Sequence, residues 1–520
     1  MALATILWVD DEMESLHSQK LFLENKGYEV HTRSNGFDAL DFVREHPVDV
    51  VLLDETMPGI TGIETLAKIK EVNQQLPVVM ITKNETENLM DDAIGSQISD
   101  YLIKPVNPNQ VLLSLKKIID NKRLVAEKTT LVYQQQFRTL FMALNNNPDH
   151  QEWMEIYRKL TYWELEMEKS DSPEMQEVHQ SQKAEANTEF FKFVSKHYAS
   201  WADPKSSDAP IMSHTLFRFK ILPHVEKGTP LIWLVVDNLR FDQWKAIQPI
   251  LSETFRVQEE ETFYSILPTA TQYCRNAMFA GMMPVDIEKQ FPQHWKNDEE
   301  EGGKNLHEEE FFRAQLKRLR RDELRTSYQK IVNNQDAHKL VESAHNLLQH
   351  DLSIVVYNFV DMLSHARTEM EVLKELASDE VSYRSLTASW FVHSPLYQAL
   401  KKIADKKINV ILTTDHGSVR VKTPYKVIGD KQTTANLRYK HGRNLNYEAR
   451  DVLSFRDPRQ AGLPVPSVNS SFIFAKEDGF LCYPNNYNYY VNYYRNTFQH
   501  GGISMEEMIV PVIRLTSKQG

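Results

Sequence analysis

Cysteine is almost missing from this sequence: Cys274 and Cys482 are the only two in 520 residues. They give no disulfide framework and fit a reducing compartment. Long hydrophobic runs are missing too. The best, Leu231–Val236, has the length of a strand and is far too short to span a bilayer. The opening residues, Met1 to Thr5, show neither the basic segment nor the apolar run of a secretory signal, so a cytoplasmic protein is expected. Positive charge is in deficit: 60 Lys and Arg face 71 Asp and Glu, a formal net charge of -11. That balance excludes a surface that tracks nucleic acid throughout, though it leaves room for a local basic site. There is no internal repeat, and the nearest approach to low complexity is the Asn/Tyr-rich run 485–494.

What is present is the balance of a soluble globular protein, 41% hydrophobic and 25% charged, on a chain long enough for two or three domains. Residues 1–121 alternate short apolar runs (Thr5–Val9, 48–53, 78–81, 101–103) with helical patterns at 15–25 and 62–71. Such alternation predicts a parallel sheet covered on both faces. Residues 122–205 turn helical. Trp153, Ile156, Leu160, Trp163 and Met167 form one apolar stripe, and the segment reads as a helical spacer or dimer interface ending in a Pro-containing linker. From about 206 to 520 the alternation returns, with strands expected at 231–236, 353–360, 410–414 and 471–475. The acidic, Gly-containing stretch 298–310 reads as a solvated insertion.

In the first domain, polar residues collect where the expected strands end. Asp10 and Asp11 follow one strand, Asp54 the next, then Thr82, and finally Lys104 after Tyr101–Ile103. In an open parallel sheet that carboxyl edge is the ligand edge. Three carboxylates gathered there suit a hard divalent cation, and Mg²⁺ is expected. Asp54 would supply a nucleophilic oxygen to an incoming phosphoryl group, Lys104 and Thr82 would bind it, and Tyr101 would reorient. The set Asp10-Asp11, Asp54 with Met57-Pro58-Gly59, Thr82 and Lys104-Pro105 closely resembles the two-component receiver family. That resemblance implies a flavodoxin-like fold and phosphotransfer to Asp54 from a sensor histidine kinase.

The last domain repeats the pattern with histidines. Asp237 ends one apolar run; Asp361 and His365 follow another; Asp415 and His416 a third; His500 precedes a fourth. Three acids and three imidazoles at one sheet edge would hold two metals with mixed N/O ligands, as zinc or manganese prefers. Glycines after His416 and His500 permit the close turns that such a cluster needs. A nucleophile is expected from Pro268-Thr269-Ala270-Thr271, just before a helical stretch whose N-terminus favours phosphate.

These segments, in this order, resemble the PglZ branch of the alkaline phosphatase superfamily. The resemblance implies a doubly wound sheet with a bimetal site, one metal held by Asp237, Thr271, Asp415 and His416, the other by Asp361, His365 and His500. It also implies Thr271, rather than Thr269, as nucleophile of a metal-dependent phosphodiesterase or phosphatase, with zinc as the metal and nucleotide-type substrates. Receiver, helical middle and PglZ-type domain together look like PorX-type regulators linked to type IX secretion. Those are associated with an extracytoplasmic-function sigma factor.

Substrate contacts are expected from Arg275 and Asn276, one turn beyond Thr271, and from the basic stretch holding Lys422, Lys426, Lys431, Arg438, Lys440, His441 and Arg443. The same stretch also reads as a solvated loop. The tyrosines of 487–494 read as strand and packing residues, with base stacking the lesser alternative. No DNA-reading helix follows the receiver. A homodimer formed on phosphorylation is expected. The competing reading is a catalytically weak regulator whose metal-stabilised hydrolase fold docks a sigma factor or secretion component.

Overall fold

The computed structural model describes residues 3–73, 76–83, 98–170, 173–298, 300–358, 360, 379–429, 434–467 and 469–518, with the side chains of 14, 15, 120–131 and 170 left aside. Two compact units result: residues 1–134 with 170–172, and residues 135–169 with 173–520.

The first unit is a five-stranded parallel sheet: β1 (Thr5–Val9), β2 (Glu29–Arg33), β3 (Val50–Asp54), β4 (Val78–Thr82) and β5 (Asp100–Ile103), in the order β2-β1-β3-β4-β5. This is the flavodoxin-like order, with its switch point between β1 and β3. Alternate residues of each strand feed opposite cores. Ile6, Trp8, Val50, Leu52, Val79 and Ile81 pack on one face, and Leu7, Val9, Val51, Leu53, Val78 and Met80 on the other. The flanking helices start on strong caps. Asn35 accepts from the Asp38 N–H, and Thr61 with Glu64 closes a capping box.

The second unit is built on a six-stranded mixed sheet: β6 (Leu231–Val236), β7 (Phe255–Tyr264), β8 (Thr326–Ile331), β9 (Leu352–Tyr357), β10 (Asn409–Thr413) and β11 (Ile509–Ser517), in the order β7-β11-β10-β6-β9-β8. Strands β10, β6, β9 and β8 are mutually parallel, and β11 and β7 join antiparallel at one side. The four parallel strands therefore end at a common carboxyl edge. The expected strand 471–475 exists, but in a separate three-stranded antiparallel sheet with Tyr439–Gly442 and Val452–Phe455.

Most of the helical middle, residues 135–169 and 173–205, belongs to the second unit. The expected boundary at 121–122 falls inside one helix, Pro108–Asn145. The next two helices, α1 (His150–Ser170) and α2 (Pro173–Trp201), pack on the sheet. Tyr198 receives the Leu267 N–H through its hydroxyl at 2.7 Å, and the Tyr264 hydroxyl donates to the His150 carbonyl at 2.8 Å. Charge reinforces the packing. Arg384 pairs with Glu164 and Asp242, each at 2.8 Å, and with Glu168; Lys183 bridges Glu164 (2.7 Å) and Glu506 (3.0 Å). No helix among the described residues is long and apolar enough to cross a membrane.

Residues 487–494 form a helix, not a strand. Val491 anchors it among Val419, Val421, Phe480 and Cys482, and the tyrosines then stack one turn apart, Tyr489 on Tyr493 and Tyr490 on Tyr494.

Candidate functional site

At the carboxyl edge of the receiver sheet, Asp10 and Asp54 are buried and Asp11 is exposed, with ligand atoms from all three within 4.8 Å of one another. Lys104 reaches in from the end of β5, its Nζ 2.8 Å from Asp10 and 3.0 Å from Asp54. Burial raises the Asp54 carboxyl above the ordinary aspartate value; the Lys104 bond pulls it down and the neighbouring Asp10 pushes it up. Burial also opposes the charge on Lys104, yet its bonds to the two acids hold its ammonium above the usual lysine value. Thr82, at the end of β4, donates to the Glu55 carboxylate. Tyr101 lies on β5 against the second core.

The second cluster forms where β6, β9 and β10 end. Asp237 follows β6, Asp415 and His416 follow β10, and all three are fully buried with ligand atoms within 4.8 Å of one another. The two turns are stitched together. Asn238, at φ +61°, donates its N–H to Asp415 Oδ1 at 3.2 Å, and the Leu239 N–H donates to Thr414 Oγ1 at 2.9 Å. Asparagine tolerates that left-handed conformation. Two glycines are needed nearby. A Cβ on Gly417 would stand 2.0 Å from the Glu506 carbonyl oxygen, and Gly501 has φ +120°. His416 and His500 thereby come face to face, ring centroids 4.2 Å apart.

Thr271 is the first residue of helix α3 (Thr271–Ala280), where the unbonded N–H groups and the dipole favour anions. Its Oγ1 is 3.0 Å from His416 Nε2 and 3.4 Å from Asp237 Oδ1. Thr269 is fully buried and occupied elsewhere: its hydroxyl donates to Gly502 O (3.0 Å) and accepts from the Gly501 N–H (2.9 Å). Asp361 and His365, the remaining expected ligands, lie outside the described residues, as does Lys431.

The expected substrate contacts fare differently. Arg438 is fully buried, with Nε 3.1 Å and Nη2 2.6 Å from the Glu507 carboxylate and further bonds to the Lys476 and Glu477 carbonyls. It closes a structural ion pair and is not part of a phosphate clamp. Lys440 is buried as well, donating to the Thr434 carbonyl and lying 4.5 Å over the Tyr483 ring; burial pushes its ammonium down to about 7. Arg443, Lys422 and Lys426 are exposed. Asn276 is buried against Lys304 and Asn305. Arg275 is buried too, donating to Asp237 Oδ2 at 2.7 Å.

Sequence reasoning missed Glu308. It sits in the stretch read as a solvated insertion, yet it is buried and held by Arg275, by Lys330 at 2.9 Å and by the Tyr328 hydroxyl. Burial favours its neutral acid, but Arg275 and Lys330 outweigh burial and hold the carboxyl below its ordinary range. The available signal was local: Glu308 to Glu310 precede Phe311, Phe312 and Leu316, acids in the first turn of an amphipathic helix.

A family profile described as "BREX system PglZ alkaline phosphatase-like domain" matches residues 216–515, more than half of the chain. The chain belongs to this family. Ahead of the PglZ domain, a PorX response regulator linker domain matches residues 123–202 and a response regulator receiver domain residues 6–116. That order is a PorX-type architecture: a response regulator with a hydrolase-like PglZ effector. The receiver segment is 33% identical over 114 residues to the transcriptional regulatory protein SrrA of Staphylococcus aureus, a match covering 22% of this chain and 47% of that protein. The chain thus spans about half the length of that curated relative. The segment is also similar to solved structures. A CheY-like receiver from Methanospirillum hungatei is 28% identical, with TM-score 0.23, over 23% of this chain and 96% of that one. A receiver from Clostridium thermocellum is 31% identical, with TM-score 0.22, over 23% and 98%.

Proposed function

We propose that this protein is a response regulator whose receiver is phosphorylated on Asp54 by a histidine kinase and controls a two-metal phosphodiesterase acting on nucleotide-type esters. The observation that carries the reading is the Thr271 hydroxyl at a helix N-terminus, within reach of both Asp237 and His416. Two carboxylates and an imidazole converging with a hydroxyl form a mixed N/O donor set that fits zinc or manganese. Asp237, Thr271, Asp415 and His416 would hold one ion; His500, stacked beside His416, would serve the second with Asp361 and His365. Bound there, the metals would supply charge neutralisation at phosphorus and a more acidic threonine hydroxyl.

The chain's own residues do the rest. Thr271 Oγ1 loses its proton to solvent and attacks phosphorus in line; the new O–P bond forms as the bond to the leaving oxygen breaks, and that oxygen takes a proton from solvent to depart as the alcohol. The N-terminus of α3 would offer the positive end of its dipole to the phosphoryl oxygens. Water then cleaves the threonine ester and restores the hydroxyl. In the receiver, Mg²⁺ among Asp10, Asp11 and Asp54 would support phosphorylation, with Lys104 pairing the new phosphate, Thr82 bonding it and Tyr101 answering by reorientation. Phosphorylation would then favour a homodimer. The order of the three segments supports a cytoplasmic role in regulating type IX secretion, with an extracytoplasmic-function sigma factor as a further partner.

The test is hydrolysis of a chromogenic phosphodiester and a phosphomonoester by protein of known zinc content. Turnover of the diester that a chelator abolishes and zinc restores is expected. Bound zinc with no turnover of either ester, or of a short oligonucleotide, would instead favour a docking module.

A further inference from the structure

Arg275 occupies an unusual place for a charged side chain. It is fully buried, and its contacts run along the carboxyl edge of the sheet. Nη1 is 2.7 Å from Asp237 Oδ2 after β6, 3.1 Å from Asn358 Oδ1 after β9, and 3.9 Å from Asp415 Oδ2 after β10. Nε pairs with Glu308, which in turn takes Lys330 and Tyr328 from β8. One guanidinium thus reaches the ends of three parallel strands directly and the fourth, β8, through Glu308.

The two oxygens of Asp237 divide their work. Oδ1 faces Thr271 Oγ1 and His416 Nε2, at 3.4 and 3.8 Å, while Oδ2 faces Arg275. A carboxylate fixed through one oxygen presents the other in a single orientation, and such outer partners set how tightly a ligand set holds its ion. Glu308 pairs with the same guanidinium through Nε. Its charge, shared by Arg275 and Lys330, leaves the cluster near balance in a site where an isolated charge would be strongly disfavoured.

We propose that Arg275, backed by Glu308, is a positioning residue that orients the Asp237 carboxylate and thereby sets the metal affinity of the site, rather than a group that binds substrate. The inference rests on the reading of Asp237 as a metal ligand. A planar fork that engages Asp237, Asn358 and Glu308 at once is geometry that a lysine ammonium does not reproduce.

The experiment uses the full chain and zinc alone, titrated against a competing chelator dye, for wild type, Arg275→Gln and Arg275→Lys. Zinc binding about ten-fold weaker or more is expected for Arg275→Gln, at a level typical of lost outer-sphere partners. A smaller loss is expected for Arg275→Lys, and the melting temperature of its zinc-free form should stay close to wild type. At saturating zinc, KM for a chromogenic diester should not change in Arg275→Lys. Zinc affinity equal to wild type, with a raised KM, would overturn the proposal and return Arg275 to substrate binding. If Arg275→Gln does not fold, Arg275→Lys decides alone, because it keeps the buried charge. A wild-type chain that binds no zinc would sink the metal-site reading itself, a different result from equal affinities.

Discussion

The hydroxyl oxygen of Thr271 lies 3.0 Å from Nε2 of His416, although 145 residues separate them. Thr269, two residues earlier, points its hydroxyl into a backbone bridge between Gly501 and Gly502. The two threonines therefore predict opposite phenotypes. Thr271→Ala should lower diester turnover by more than about a thousand-fold, as loss of a nucleophile does, with little change in denaturation midpoint. Thr269→Val should cost about 1–3 kcal/mol of stability by stranding two buried backbone groups. Urea unfolding beside initial-rate assays separates the two effects.

Asp54 is the receiver acid that lies with Asp10 against Lys104. Asp54→Asn should abolish Mg²⁺-dependent labelling by a small-molecule phosphodonor, read as a mobility shift on a phosphate-binding gel. Retained labelling would place the phosphoacceptor elsewhere.

Arg384 joins helix α1 to the effector through Glu164, Glu168 and Asp242. Its removal leaves three buried or half-buried acids facing one another. Arg384→Ala should destabilise the second unit by about 3–5 kcal/mol, the range for breaking a buried ion pair. Chemical denaturation of the full chain, followed by tryptophan fluorescence, measures it.

Lys440 gives a pH test with a defined sign. Burial lowers its ammonium from the ordinary 10.5 to about 7 in the folded chain. Between those values the unfolded chain binds more protons, so this residue makes stability rise with pH across that window, and its penalty is full below it. Lys440→Met should therefore raise the melting temperature most at pH 6, with the gain shrinking as pH approaches 10. KM for an oligonucleotide should stay unchanged, since the side chain is buried away from solvent.

Much of this architecture was legible because buried parallel strands read as unbroken apolar runs. Thr5–Val9 and Leu231–Val236 appear with the bounds the sequence suggests, and Asp10, Asp237, Asp415 and His416 fall just past strand ends, where parallel sheets bind ligands. What escaped was polar. Strand β7, Phe255–Tyr264, carries Glu259 to Glu261 because it is an edge strand whose charges meet Arg514, Lys245 and Lys220. Glu308 escaped because a run of acids reads as solvated until its partners, Arg275 and Lys330, are brought in from distant elements. The basic stretch misled for the converse reason: Lys440 lies on the strand Tyr439–Gly442, which pairs with Ser471–Ala475, Arg438 stands just before that strand, and both are buried.

The most direct test of the account is an acid-quenched turnover of a phosphodiester by the zinc-loaded protein, followed by peptide mass mapping. The account predicts a phosphoryl-ester adduct on Thr271 that disappears when a chelator is present. Steady turnover with no adduct on Thr271, together with undiminished turnover by Thr271→Ala, would contradict it.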